Sequence, residues 1–208
     1  MFTVYGMTLF LKGLAFGFVL AATVGPMWVL CLRRTLAFGA GTGLASGLGI
    51  AVADGLYGAI AAFGLTAISG LLLGYSFWIG LVGAVFLIYL GIKAFLAKPE
   101  ILEKETQSQG LFAAFLSTIG LTLANPPTIL AFAAIFAGLG LTSNQDYAAA
   151  ALITLGVFLG SLSWWIVLAL AAGSLRDSIG PRLMRAVNIV SGVTILAFAG
   201  WQVFELLR

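Results

Sequence analysis

Asp54 is the one carboxylate well inside an apolar stretch of this sequence, near the middle of the run from about Gly41 to Ile68. If that run crosses a bilayer, a charged aspartate there costs roughly 2.5–3.5 kcal/mol even on a lenient insertion scale. Such acids are kept where a cavity or partner receives them, and they mark ion, proton or cationic-ligand pathways. Asp54 is therefore the candidate to bind a proton or a substrate's amine. The competing reading is a neutral carboxyl held by nearby hydroxyls as packing glue.

Two interruptions accompany the acid. Gly25-Pro26 lies in the first apolar run and Asn125-Pro126-Pro127 in the fourth. Proline lacks an amide hydrogen and clashes with the preceding turn, so both runs are predicted to kink or unwind there. Irregular backbone at membrane depth persists only where protein or a wet cavity satisfies it. A broken helix offers amide hydrogens at one new end and carbonyls at the other, the two kinds of group that a zwitterion needs. Ser161, Ser163 and Thr128 could add hydroxyls, and Asn125 could bond substrate or the opened chain. Tyr57 and Trp164 could line the passage, with aromatic packing as the plainer alternative.

Other chemistries find little support. There is no histidine, and Cys31 is the only cysteine, so no intramolecular disulfide or dithiol relay is available. A divalent-metal site would need several Asp, Glu, His or Cys donors, and Asp54 alone is a poor supply. The stretch Gly39-Ala-Gly-Thr-Gly43 lacks the Lys-Ser/Thr ending of a phosphate loop. Without paired carboxylates or a metalloprotease motif in the apolar runs, an intramembrane enzyme is disfavoured. No cofactor is called for, and no ATP-binding segment is present.

The elements that must position these residues follow from composition. The 208 residues are 62% hydrophobic and 8% charged, against roughly 25% charged in a soluble domain. A span needs about 20 apolar residues, and six runs qualify: Leu9–Leu32, Gly41–Ile68, Leu73–Leu96, Leu111–Leu139, Tyr147–Ala172 and Leu183–Leu207. None alternates in polarity as a membrane strand does, so the spans are predicted to be helices. The start has only Lys12 as a charge and its apolar run continues to Leu32, which argues against a cleaved signal peptide. Trp78, Trp164, Trp165 and Trp201 are candidate interfacial anchors.

Basic residues alternate between connections. Arg33 and Arg34 follow the first run; Lys93, Lys98 and Lys104 close the third; Arg176, Arg182 and Arg185 follow the fifth. The turns near Ser69 and Asn144 have none, leaving only Lys12 and Arg208 for the other face. These clusters are topology signals rather than a nucleic-acid patch, and they put both termini outside and the basic loops in the cytoplasm.

The polar stretch from Lys98 to Gln109 divides the runs three and three, giving repeats at 1–97 and 111–208 joined by a linker at 98–110. Gly25-Pro26 aligns with Asn125-Pro126, Gly49-Ile-Ala-Val-Ala-Asp54 with Gly156-Val-Phe-Leu-Gly-Ser161, Tyr57 with Trp164, and Gly83 and Gly91 with Gly192 and Gly200. An odd number of spans per half makes the second half inverted relative to the first. The predicted fold is thus an all-α membrane protein of six transmembrane helices, built as two inverted three-helix repeats with helices one and four broken.

These landmarks together resemble the lysine exporter (LysE/RhtB-type) superfamily of bacterial amino-acid exporters. The resemblance rests on Thr23-Val24-Gly25-Pro26, Arg33-Arg34, Gly49 to Asp54, Leu87-Ile-Tyr-Leu-Gly91 and Leu123-Ala124-Asn125-Pro126, and it covers nearly the whole chain. It implies a multi-pass protein of the bacterial inner membrane, often a homodimer, that exports amino acids or related zwitterions in exchange for protons. The family's Pro-Gly-Pro-Asn break falls on Val24-Gly25-Pro26-Met27, so its leading proline and trailing polar residue are missing, which points toward a more apolar ligand. The alternatives are a divalent-metal exporter of the same superfamily and a non-transporting membrane scaffold.

Overall fold

The computed structural model describes residues 2–62, 75–97, 110–125, 128 and 147–208. All regular structure among these residues is helical: α1 (Phe2–Ala22), α2 (Pro26–Phe38), α3 (Ala40–Ala62), α4 (Ser76–Leu96), α5 (Leu111–Leu123), α6 (Tyr147–Leu175) and α7 (Pro181–Leu206), with one 3-10 turn at Arg176–Ser178. Four of these, α1, α3, α6 and α7, are long and apolar enough to cross a membrane. Their outer faces suit lipid. On α4, Val82, Val85, Tyr89 and Leu96 are exposed together, a stripe that a water-facing monomer rarely tolerates. Trp78 and Trp201 are also exposed, as interfacial anchors would be; Trp165 is not. The expected turn at 142–146, the linker at 98–109 and the later part of the fourth run lie outside the described residues.

Glycine sets the closest packing. Gly13 and Gly17 of α1 face Ile153 and Val157 of α6, while Gly156 and Gly160 press on the backbone of Phe10 and Leu14. A Cβ on any of the four would meet a carbonyl oxygen, so the two helices lie side by side and parallel through reciprocal small-residue contacts. Gly49 brings α3 equally close to Phe115 on α5, again in parallel, and Gly47 seats Trp165 of the antiparallel α6. Helices α4 and α7 pair antiparallel, with Gly91 against Leu196 and Gly192 against Phe95.

The first apolar run departs from its expected outline. The interruption predicted at Gly25-Pro26 separates α1, which ends at Ala22, from α2; the departure is at the far end, expected at Leu32, because α2 carries the chain through both arginines to Phe38. The turn comes at Gly39, whose φ of +93° suits glycine and whose amide donates to the Thr35 carbonyl at 2.8 Å. Arg33 and Arg34 are therefore buried inside the bundle, not exposed in a loop. Neighbouring helices take the place of water around them. Arg33 Nε donates to Asn188 Oδ1 at 3.0 Å. Arg34 donates to Ser46 Oγ at 3.3 Å, the Ala114 carbonyl at 3.2 Å and Ser117 Oγ at 2.9 Å. Satisfied donors are what allow a guanidinium to sit there.

Candidate functional site

Asp54 lies on the face of α3 that packs against α6 and is 3% exposed. The small residues around it, Ala51, Ala53 and Gly58, let α6 come close enough for side chains to meet. Ser161 Oγ donates to Asp54 Oδ2 at 2.7 Å, and Trp165 Nε1 donates to the same Ser161 Oγ at 3.1 Å. Ser161 and Trp165 are themselves buried. The result is a short polar chain of carboxyl, hydroxyl and indole crossing between two helices. No Lys or Arg among the described residues pairs with Asp54. A buried carboxyl with one hydroxyl donor and no built-in cation can exchange a proton, or take an ammonium group, without first breaking an ion pair.

The first break lies beside this chain. α1 finishes with Thr23, whose amide donates to the Leu20 carbonyl at 3.2 Å and whose hydroxyl donates to the Val19 carbonyl at 3.0 Å. Gly25 is then extended and serves as N-cap of α2, with Pro26 in the first helical turn and no side-chain cap. Proline is favoured there because its missing amide hydrogen would have had no intrahelical partner. Ala21 and Met27, on either side of the break, share one packed cluster with Ile50, Ala51 and Trp165. Met27 is buried in that cluster, so the position that lacks the family's polar residue is apolar packing here.

The second break ends α5. Ala124 and Asn125 close it with amide bonds to the Gly120 carbonyl at 2.9 Å and the Thr122 carbonyl at 3.2 Å. Two side chains from other helices then take up the carbonyls that the break leaves open. Tyr57 on α3 donates to the Leu123 carbonyl at 2.6 Å. Gln202 on α7 donates to Gly80 at 2.6 Å and reaches Ala124 at 3.5 Å. Asn125 turns back on its own segment, donating to Thr128 Oγ1 at 3.0 Å. Pro126 lies outside the described residues.

Of the residues singled out from the sequence, Asp54 and Ser161 meet directly, and Gly25 and Pro26 frame a break that packs beside them. Tyr57 bonds the end of α5, and Trp164 packs edge-on against Phe18 of α1 with ring centroids 5.4 Å apart. Asn125 and Thr128 bond each other. Sequence reasoning missed Trp165 as a partner of Ser161, although their spacing of four places them on one helix face. It also missed Gln202 and the burial of Arg33 and Arg34.

Comparison with known proteins agrees with this architecture. Residues 18–204 match the profile of the family described as LysE type translocator. Across 197 residues, the chain is 26% identical to YcgF of Bacillus subtilis (strain 168), whose name carries a provisional assignment to amino acid efflux; the match covers 92% of this chain and 93% of that protein. It is also 28% identical over 201 residues to the chemotactic transduction protein ChpE of Pseudomonas aeruginosa, covering 93% and 97%. No solved structure gives a significant match. With the family profile spanning almost the whole bundle, both breaks and Asp54 included, this multi-pass membrane protein belongs to the LysE type translocator family.

Proposed function

We propose that this protein is a secondary transporter that exports amino acids or related zwitterionic metabolites from the cytoplasm, driven by exchange for protons. Asp54 is the residue that binds the proton or the substrate's amine, with Ser161 and Trp165 holding it between α3 and α6. The observation that carries the reading is the buried Asp54–Ser161 contact, an acid without a cation in a bundle of apolar helices. The efflux assignment in the name of YcgF supports the solute class. Among the described residues no three His, Cys, Asp or Glu come together, which leaves a metal-exporting reading without a donor set.

The pairing of helices supports two inverted repeats. Exchanging the halves turns the α1–α6 pair into the α5–α3 pair, and both are parallel. The α3–α6 pair turns into itself, as does α4–α7, and both are antiparallel. Within α3–α6 the correspondence extends to single contacts: Gly47 with Trp165 maps onto Thr154 with Gly58, and both contacts occur. Asp54 maps onto Ser161, so the bonded pair falls on the pseudo-two-fold axis, where transporters of this architecture hold their substrate.

Metabolite profiling of cells that overproduce the chain tests the proposal. Lowered intracellular content of one amino acid, restored by a proton uncoupler, is expected. Unchanged amino acids with altered metal tolerance would replace the reading with metal export. Unchanged solutes of every kind, alongside altered chemotactic signalling, would favour the role that ChpE's name describes.

A further inference from the structure

We propose that Tyr57 and Trp164 are paired latches, one on each half of the molecule, that close in alternation as the transporter changes the side to which Asp54 opens. The idea rests on the transporter reading above and deepens it by naming positioning residues outside the Asp54 site.

Tyr57 and Trp164 occupy equivalent places in the two halves, each three residues beyond the paired Asp54 and Ser161. Each reaches the broken helix that lies parallel to its own: Tyr57 reaches α5, and Trp164 reaches α1. Only one is engaged. The Tyr57 hydroxyl donates to the Leu123 carbonyl, two residues before Asn125. The Trp164 indole packs on Phe18, seven residues before Gly25, and its Nε1 is buried with no hydrogen-bond partner. Counted from the breaks, the two contacts differ by five residues, roughly 7.5 Å of helix rise.

A buried indole N–H without an acceptor is a standing cost, and the nearby Val19, Leu20 and Gly25 carbonyls accept only from Thr23 and Val29 of their own segment. Among the described residues, no side chain from another helix donates to the carbonyls between Val19 and Gly25. Trp164 packs on the cluster that holds Ala21, and its ring meets Phe18, about one turn before that residue on α1. A movement of α1 relative to α6 that closes that difference would bring a carbonyl of the first break to Trp164 Nε1. The same exchange, applied to the other half, would draw α5 away from Tyr57. A plain slide is closed to α1, because one turn would set Ala21 where Gly17 now meets the Val157 carbonyl, so the helix must tilt off its glycine seat as it moves. The two halves would then have traded conformations, with Asp54 and Ser161 left on the axis.

Amide hydrogen exchange on the full chain in lipid nanodiscs, without added solute, tests this over the segments 19–25 and 120–125. Tyr57→Phe should speed exchange at 120–125 by about 2- to 10-fold, the range that one lost hydrogen bond gives, and slow it at 19–25. Trp164→Phe should do the opposite at 120–125, slowing exchange there although it touches neither residue of the Tyr57 bond. The double variant should return toward wild type. A faster 120–125 segment in both single variants, or a Trp164→Phe protein matching wild type there, overturns the proposal. If Trp164→Phe does not fold, Tyr57→Phe decides alone, because a purely structural bond would leave 19–25 unchanged. No solute enters the measurement, so its failure is separable from failure of the amino-acid reading.

Discussion

The two interrupted spans leave backbone groups open in the same membrane protein, and they deal with them differently. At the second break the open carbonyls are met by side chains from two other helices, Tyr57 and Gln202. At the first, the only side-chain bond among the described residues is local and exposed, from Thr23 back to Val19. The first break is held instead by shape, through glycines that lock α1 against the backbone of α6. One interruption is thus fastened by hydrogen bonds and the other by contact alone. In hydrocarbon, where water cannot substitute, the second kind of fastening leaves polar groups in reserve for a ligand or another conformation.

This contrast can be broken at several points, read by thermal unfolding of the detergent-solubilised protein. Gly160→Leu should be the most damaging, because its side chain would meet the Leu14 carbonyl rather than a movable group. Overpacking typically costs about 1–3 kcal/mol, and a rigid backbone obstacle belongs at or beyond the upper end. Gln202→Leu comes next at about 1–1.5 kcal/mol, since it removes the buried amide's bonds to the Gly80 and Ala124 carbonyls. Tyr57→Phe should cost about 1 kcal/mol, the value of one hydrogen bond. Thr23→Val should change stability by less than about 0.5 kcal/mol, because its bond is local and exposed. If Thr23→Val proved as costly as Gln202→Leu, the two breaks would be fastened alike and the contrast would fail.

Much of this was legible in the sequence, for identifiable reasons. Asp54 stood out because a lone acid in an apolar run is expensive, and Gly25-Pro26 because proline has one physical consequence inside a helix. The alignment of Asp54 with Ser161 paired two residues that turn out to be bonded. What stayed hidden depends on tertiary partners. Arg33 and Arg34 read as the end of a span because charge usually marks water; nothing local announces that Ser46, Ser117 and Asn188 come together around them. Tyr57 and Trp164 read as lining a passage or, more plainly, as aromatic packing, since sequence gives their faces but not which neighbour each face meets. Gln202 carries no signal in the sequence, and its use is visible only beside Gly80 and Ala124.

On the transport reading, the buried acid between α3 and α6 moves solute or protons rather than holding the helices together. Efflux of the solute identified by profiling, measured for Asp54→Asn and Ser161→Ala at matched membrane abundance, is its most direct test. Asn keeps the size and can still accept from Ser161, so folding should survive while efflux falls at least about tenfold; Ser161→Ala should retain a reduced, measurable rate. Full efflux from Asp54→Asn would contradict the claim and leave the acid as packing between two helices.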